Sequence, residues 1–323
     1  MCVERSRRTS SGAIDKFGDP KGLGVTTAPS LPVQSLDGPA EPDLVRIRDV
    51  IYQAAGIFHP DNKLQLLQDR CGRRMKELKL RSLREYTDCL TIRAGQHAEL
   101  IALLNEITIG ETCFFRNPAQ LDALRRVVIP KILQAKSKLP LRSLRIWSAG
   151  CSTGEEPYTL QMLLLEEAGA LLKDWAAEIF ATDLNQHSLA HAQEAVYGSH
   201  STRNLPPLYR KKYFLPRGDQ LQVNPLVRSG VSFSRLNLSD DSRMTLMNSV
   251  DVILCCNVLI YFDLASKRRV IQHFFNNLLP DGYLFLGHSE SLYGVNEDFR
   301  LVHLPGSTAY VKRERTPAGG KAI

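Results

Sequence analysis

The chain is expected to fold as an α/β protein: a doubly wound, largely parallel sheet, preceded by a small all-helical domain and carrying a small inserted subdomain. Three observations lead there. From Leu121 onward, helically spaced apolar residues alternate with short apolar runs bounded by turn residues, the signature of βα units with buried parallel strands. Residues 144–160, LRIWSAGCSTGEEPYTL, join one such run to a small-residue turn and then to an amphipathic stretch. Before residue 108 only helical patterns occur.

The elements follow in order. Residues 1–41 are rich in Ser, Thr, Gly and Pro and hold too little apolar surface to offset ordering, so a disordered tail is expected. A helical domain follows over 42–107. Leu44, Ile47, Val50, Ile51 and Ala54 share one face, closed by Gly56; Leu64, Leu67, Cys71, Met75 and Leu78 share a second. Residues 82–90 and 97–107 suggest two more short helices. Residues 108–118 read as a linker, and 119–315 as the main domain. Helix 119–135 precedes strand 144–148, and helix 157–172 precedes strand 178–182, which ends at Asp183. Helix 186–196 comes next. Residues 197–230 are polar, basic and broken by Pro206, Pro207, Pro216 and Pro225, which fits an insertion built on a hairpin or two. Strand 231–235, the Asn237–Leu238 turn, strand 250–256, helix 264–279, a Pro280–Gly282 turn and strand 283–287 complete the alternation. Strands 299–303 and 308–312 fit an antiparallel edge hairpin, and 316–323 a flexible tail.

A chain of 323 residues, 43% of them hydrophobic, can bury one substantial core and a smaller second one. No apolar run approaches the roughly 20 residues that span a bilayer, so no membrane insertion is expected. The N-terminus lacks the apolar stretch of a secretory signal. The seven cysteines (Cys2, Cys71, Cys89, Cys113, Cys151, Cys255, Cys256) form no CxxC pair and no Cys/His ligand spacing. Reduced thiols, a cytoplasmic location and no metal site are the expectation. The net charge of +7 is concentrated: residues 63–84 hold eight basic and two acidic side chains. Such a patch implies an anionic partner, either nucleic acid or an acidic protein surface.

In the turn after the first strand, Gly150 and Gly154 let the backbone bend and approach a ligand, and Pro157 sits in the first helical turn. Such a turn is the usual ligand crevice of an open α/β sheet. Glu155 and Glu156 would repel a phosphate there. They suit a ligand offering hydroxyls, an ammonium or a sulfonium, and S-adenosylmethionine carries all three. No G-x-S-x-G elbow accompanies the Ser, His and Asp residues, so a hydrolytic triad is not indicated.

Ser148 through Tyr158, SAGCSTGEEPY, closely resembles the first-strand motif of the CheR family of chemotaxis receptor methyltransferases, with Thr159 where that motif continues with Ser. ETCFFR resembles the family's T-x-FFR, ATD its second-strand acid, VSFSRLNL its F-x-x-x-NL, CCNVLIYF its CRNVLIYF, and LFLGHSESL its GHSE strand. Lys63, Leu67, Arg70, Arg73, Arg74 and Leu78, then Ser82 to Tyr86, resemble its N-terminal domain. The resemblance spans about 43–312 and implies a class I methyltransferase sheet.

It also implies site roles. Asp183 would accept hydrogen bonds from both ribose hydroxyls; the alternative is a cap on the following helix. Glu155 resembles the cofactor-contacting acid, with Glu156 capping the helix or balancing its dipole. Asn237 and Leu238 would hold the adenine, unless Asn237 is a plain turn residue. Gly110, Thr112, Arg116, Gly150, Asn257 and Val258 complete the cofactor set. Arg116, Asn257 and Tyr261 are the candidate catalytic residues: Arg116 could pair with a substrate carboxylate, Asn257 could orient the nucleophile, and Tyr261 could line the channel or pack. Phe114 and Phe115 would pack the linker, and His288 and Glu290 would form loop hydrogen bonds. Arg70, Arg73 and Arg74 would dock the substrate. Two positions depart from the pattern: Cys256 stands where the family usually has Arg, and Gly110 where some members carry Asn.

The function so implied is methyl transfer from S-adenosylmethionine to glutamate carboxylates of methyl-accepting chemoreceptor cytoplasmic domains. The products would be methyl esters and S-adenosylhomocysteine, made by a monomer at receptor clusters without nucleic acid or metal. A carboxylate nucleophile, with an unperturbed pKa of about 4.3, needs no general base. The alternatives are a methyltransferase of another substrate, such as nucleic acid, and a non-catalytic module that binds cofactor or receptor. The chain lacks the Asn/Asp-Pro-Pro-aromatic motif of flipped-base amino methylation, and no aromatics interleave the basic run.

Overall fold

The computed structural model describes residues 41–313 apart from Arg93, Ile109 and Ala168. The expected tails over 1–41 (Glu41 excepted) and 316–323 lie outside the described residues. Four helices come first: α1 (Pro42–Ala55), α2 (Leu64–Leu78), α3 (Leu83–Thr91) and α4 (Gln96–Ile107). A proline opens α1, where a helix has no partner for the missing N–H. Its inward stripe is Leu44, Ile47, Ile51 and Ala55. α2 buries Leu64, Leu67 and Cys71 and turns its charges outward, Arg74 excepted. Ser82 caps α3, accepting from the Glu85 N–H at 3.2 Å, while the Glu85 carboxylate accepts from the Arg81 N–H at 2.9 Å. The buried apolar residues of all four helices belong to one cluster with Trp147, Ile253 and Leu284 of the main sheet and with Phe274 of a helix that packs on it.

The rest alternates strand and helix. α5 (Pro118–Ala123), a π-helical turn (Leu124–Val128) and α6 (Ile129–Lys136) occupy the expected helix 119–135. Pro130 accounts for the wide turn, because its ring would clash with the carbonyl four residues back in a regular helix. β1 (Ser143–Ala149) leads to α7 (Glu155–Glu167), and β2 (Ala176–Asp183) to α8 (Gln186–Glu194). β3 (Val196–Tyr197), α9 (Pro207–Tyr213), β4 (Phe214–Arg217), β5 (Gln220–Val223) and α10 (Pro225–Arg228) make the insertion. β6 (Val231–Arg235), α11 (Asp241–Met244), β7 (Val250–Cys255), α12 (Leu264–Asn277), β8 (Leu278–Leu286), β9 (Phe299–Leu304) and β10 (Ser307–Lys312) follow.

The main sheet has seven strands in the order β6-β2-β1-β7-β8-β10-β9. The first five are parallel, β10 runs antiparallel to β8, and β9 closes the edge hairpin on β10. The insertion is a separate antiparallel sheet, β3-β5-β4, with β4 and β5 joined through Gly218 and Asp219. Two boundaries differ from expectation. α7 ends at Glu167 rather than 172, and the expected Pro280–Gly282 turn lies within β8, as a register irregularity against β7.

Leu144, Ile146, Val252, Leu254 and Phe285 face a second cluster, so β1, β7 and β8 are covered on both sides. The apolar residues that dominate these strands follow from that. The chain leaves β1 toward β2 and β6 on one side and toward β7 and β8 on the other. The crevice of such a sheet opens at the carboxyl ends beside this switch point.

Candidate active site

A cleft of about 290 Å³ lies at those strand ends. It is lined by the linker, the turn after β1, the end of β2, the Leu236–Leu238 segment and the loop after β7. The turn after β1 is pinned by the Gly150 and Cys151 N–H groups, both donating to the Thr182 carbonyl at 2.8 and 2.9 Å. Gly150 has φ +82°, and a Cβ there would come within 2.4 Å of the Val258 side chain. Gly110 is equally confined, since a Cβ would stand 2.6 Å from Ser152 Oγ. Both glycines keep the cleft wall thin where the linker and the β7 loop meet the turn.

Asp183 ends β2 in the cleft. Its Oδ2 accepts from the Ser152 N–H and its Oδ1 from the Asn185 N–H, each at 2.8 Å. One lone-pair direction per oxygen stays free for two further donors, the requirement of a vicinal diol. Burial raises its pKa against those stabilising N–H groups. The alternative of a helix cap is taken by Asn185, whose Oδ1 accepts from the Ser188 N–H at 3.0 Å. Sequence reasoning missed Asn185. Its Nδ2 also donates to the Asn105 carbonyl at 2.9 Å and to Thr108, which ties the linker to β2. The Asn-x-x-Ser spacing was the available signal.

Of the two glutamates, it is the second that lines the cleft. Glu155 is 1% exposed and does not line the cleft; its Oε2 accepts from Thr153 Oγ1 at 2.7 Å. Glu156 lines it instead, with Oε1 accepting from Ser148 Oγ at 2.6 Å. Successive helical side chains diverge by roughly 100°, so only one of an adjacent pair can face a given cleft. Burial pushes the Glu156 carboxyl upward, opposed by the Ser148 hydrogen bond and the Arg116 charge.

Asn237 and Leu238 both border the cleft. The Asn237 Nδ2 donates to the Ala54 carbonyl at 2.7 Å and its Oδ1 accepts from the Ser239 N–H at 3.0 Å, so the amide joins α1 to the segment after β6.

Gly110, Thr112, Arg116, Gly150, Leu238, Asn257, Val258 and Tyr261 all line the cleft, as expected. Arg116 is exposed, with Nη1 donating to the Glu111 carbonyl at 2.8 Å. Asn257 adopts φ +62°, and its N–H donates to Glu290 Oε2 at 2.8 Å; that oxygen also accepts from the Gly287 N–H. Glu290 is thus the expected loop-former, whereas His288 is exposed. Phe114 packs edge-on against Tyr197 and Phe214, and Phe115 against Tyr209. Cys256 lines the cleft with its Sγ donating to Gln120 Oε1 at 3.4 Å.

On α2, Arg73 is largely exposed and Arg70 half-buried. Arg74 turns inward, contrary to a docking role. Its Nε and Nη2 donate to Glu99 at 3.0 and 2.8 Å, and the Tyr86 hydroxyl donates to the same carboxylate at 2.8 Å. Among the described residues, no group of three or more His, Cys, Asp or Glu is placed to hold a metal ion, and no helix is long and apolar enough to cross a membrane.

A seven-stranded sheet of this order, with an acid at the end of its second strand and a glycine turn after its first, defines a class I S-adenosylmethionine-dependent methyltransferase. The match to known families is specific. Residues 110–307 match the CheR methyltransferase, SAM binding domain, and residues 42–108 the CheR methyltransferase, all-alpha domain. Chemotaxis protein methyltransferase 2 of Vibrio cholerae is 35% identical over 281 residues, covering 87% of this chain and 96% of that protein. The Escherichia coli chemotaxis protein methyltransferase is 32% identical over 270 residues, covering 82% and 88%. Chemotaxis protein methyltransferase 1 of Pseudomonas aeruginosa is 32% identical over 275 residues, covering 84% and 98%. The chain belongs to the CheR methyltransferase family.

Proposed function

We propose that this methyltransferase esterifies glutamate side chains of chemoreceptor cytoplasmic domains, with S-adenosylmethionine as donor and S-adenosylhomocysteine as product. The observation that carries this reading is the inventory of the cleft. Asp183 and Glu156 supply anionic acceptors and Arg116 a guanidinium at the mouth, while no histidine or lysine is among the lining residues. Histidine and lysine are common bases for deprotonating an amine; a glutamate, ionised above a pKa of about 4.3, needs no base at all.

The residues present fit the cofactor. Asp183, held by two backbone N–H groups, retains acceptor capacity for both ribose hydroxyls. Gly150 and Gly110 leave room for close approach, Leu238 offers an apolar wall, and Glu156 presents a carboxyl to a cationic group. When bound, S-adenosylmethionine supplies an electrophilic sulfonium methyl. Arg116 draws in the substrate carboxylate and, with the Asn257 amide, aims one oxygen along the line of attack. Tyr261 and the apolar rim displace water from that carboxylate as it enters.

The exposed cations of α2 and its flanks, Lys63, Arg73, Lys76 and Lys79, meet an acidic receptor surface, with Arg70 beside them. We expect a cytoplasmic monomer working at receptor clusters. Transfer of labelled methyl to receptor-containing membranes, followed by mild alkali, tests the reading. Label released as methanol supports it; alkali-stable label on the acceptor overturns it.

A further inference from the structure

We propose that an apolar lip at the cleft mouth, built by Phe58, Ile260, Tyr261 and Leu264, selects acceptor glutamates that have an apolar neighbour in the receptor chain. The inference rests on the glutamate esterification proposed above and adds which surroundings of the glutamate the site prefers.

All four side chains are large, apolar and open to solvent: Phe58 is 42% exposed, Ile260 54%, Tyr261 37% and Leu264 50%. They come from the stretch after α1, the turn Leu259–Tyr261 after β7 and the head of α12. These segments are locked together beneath the lip. The Phe58 N–H donates to the Tyr261 carbonyl at 2.9 Å, and Ile57 pairs with Phe262 in an antiparallel bridge. The Tyr52 ring stands edge-on to Phe58, with centroids 6.3 Å apart, and its hydroxyl donates to Asp263 Oδ2 at 3.1 Å. Asp263 in turn caps α12, accepting from the Ser266 N–H at 2.8 Å. Apolar residues scattered singly over a surface need no explanation, but four on interlocked segments at the rim of a cleft mark a contact surface.

Position identifies the occupant. Ile57, Ile260, Tyr261 and Phe262 line the cleft, so the lip continues its wall outward. Away from the cleft the chain runs directly from Phe58 to the exposed Lys63, where the basic stretch begins. A glutamate side chain is short, so a receptor segment whose carboxylate reaches Arg116 must lay its backbone across the mouth. Residues beside that glutamate then rest on the lip, while acidic residues farther along meet the cations of α2. An apolar neighbour leaves water there and adds affinity in proportion to the area covered. A polar neighbour is desolvated against a surface that offers it little to bond. Nucleic acid brings no such side chain, and a second copy of this chain would close the mouth to substrate.

The test is methyl transfer by the full chain to receptor-containing membranes, with the labelled glutamates located by mass spectrometry. Ile260→Ser and Leu264→Ser, two exposed positions whose loss uncovers no core, should each raise the KM for receptor, and together by roughly tenfold. The kcat and the Kd for S-adenosylhomocysteine should stay as in wild type. The effect should persist at high ionic strength, where a purely charged contact fades. Replacing the apolar residues nearest the labelled glutamate by Ser in the receptor should raise KM for wild type but add little for the lip variants. An unchanged KM, additive effects of the two sets of changes, labelled glutamates with only polar neighbours, or a weakened cofactor Kd would each overturn the proposal. So would a dimer that the lip variants abolish, which would assign the lip to a second copy. In all of these outcomes esterification itself survives; absence of any alkali-labile label on receptor overturns the underlying reading instead.

Discussion

Asp183 owes its aim to the Ser152 and Asn185 N–H groups, one on each oxygen. Asp183→Asn removes an acceptor oxygen and sets an NH₂ group against one of those donors, so both the orientation and the ribose contacts are lost. Charge-assisted hydrogen bonds contribute roughly 1.5–3 kcal/mol, which predicts cofactor affinity weaker by about 10- to 150-fold. Calorimetry with S-adenosylhomocysteine checks this, and an unchanged Kd would remove Asp183 from the site. Arg74 poses the opposite problem, a charge that serves structure. Its side chain is 15% exposed and that of Glu99 8%, so truncating one leaves the other buried and uncompensated. Arg74→Met should cost about 3 kcal/mol in urea unfolding, whereas Arg73→Glu, on an exposed side chain, should stay within roughly 0.5 kcal/mol. Equal effects from the two would mean that the Glu99 pair is not what holds α2 to α4.

At the scale of elements, the strands were the most legible part of the chain. Val250–Cys255 is buried at every position and is apolar apart from Asp251, which pairs with Lys136, and every strand of the main sheet but β8, which starts earlier at Leu278, falls close to where its run of residues indicated. The α2 helix was equally clear from its stripe of Leu64, Leu67 and Cys71. What could not be read was the rotation of a helix about its axis where a turn sets it. One residue of phase at the head of α7 decides between Glu155 and Glu156. Nor could partners distant in sequence be read: Arg74 meets Glu99 through the α2–α4 packing, and Asn237 meets the carbonyl of Ala54 across the molecule. These placements narrow the proposed docking surface. Arg73, Lys76 and Lys79 are exposed on or beside α2, while Arg74 belongs to the interior. Reversing those three exposed cations to Glu should raise the KM for receptor, leave cofactor affinity unchanged and weaken the salt dependence of the reaction. Steady-state kinetics at two ionic strengths measures this. An unaltered KM would assign receptor binding to another surface.

For the molecule as a whole, the helical segment and the sheet domain are bound into one another at the site itself. Asn237 and Ser239 bond the end of α1, donating to the Ala54 and Ala55 carbonyls at 2.7 and 3.1 Å. The Phe58 N–H donates to the Tyr261 carbonyl at 2.9 Å, and Asn185 bonds both Asn105 and Thr108. Each tie joins the helical segment, or the linker that leaves it, to a loop that lines the cleft. Their shared apolar cluster means that neither part can leave without uncovering buried surface. The full chain should therefore unfold in one step, with tryptophan fluorescence, which reports the buried Trp147 of β1 and the half-buried Trp175 before β2, and far-UV circular dichroism, which also reports the four leading helices, giving the same urea midpoint. Asn185→Ala removes the cap of α8 together with the bonds to Asn105 and Thr108. It should destabilise by about 2 kcal/mol, lower both midpoints equally and weaken cofactor binding, because the linker carrying Thr112 and Arg116 loses its anchor on β2. An early loss of helical signal with fluorescence unchanged would show that the two parts melt separately and that the site is assembled from independently stable pieces.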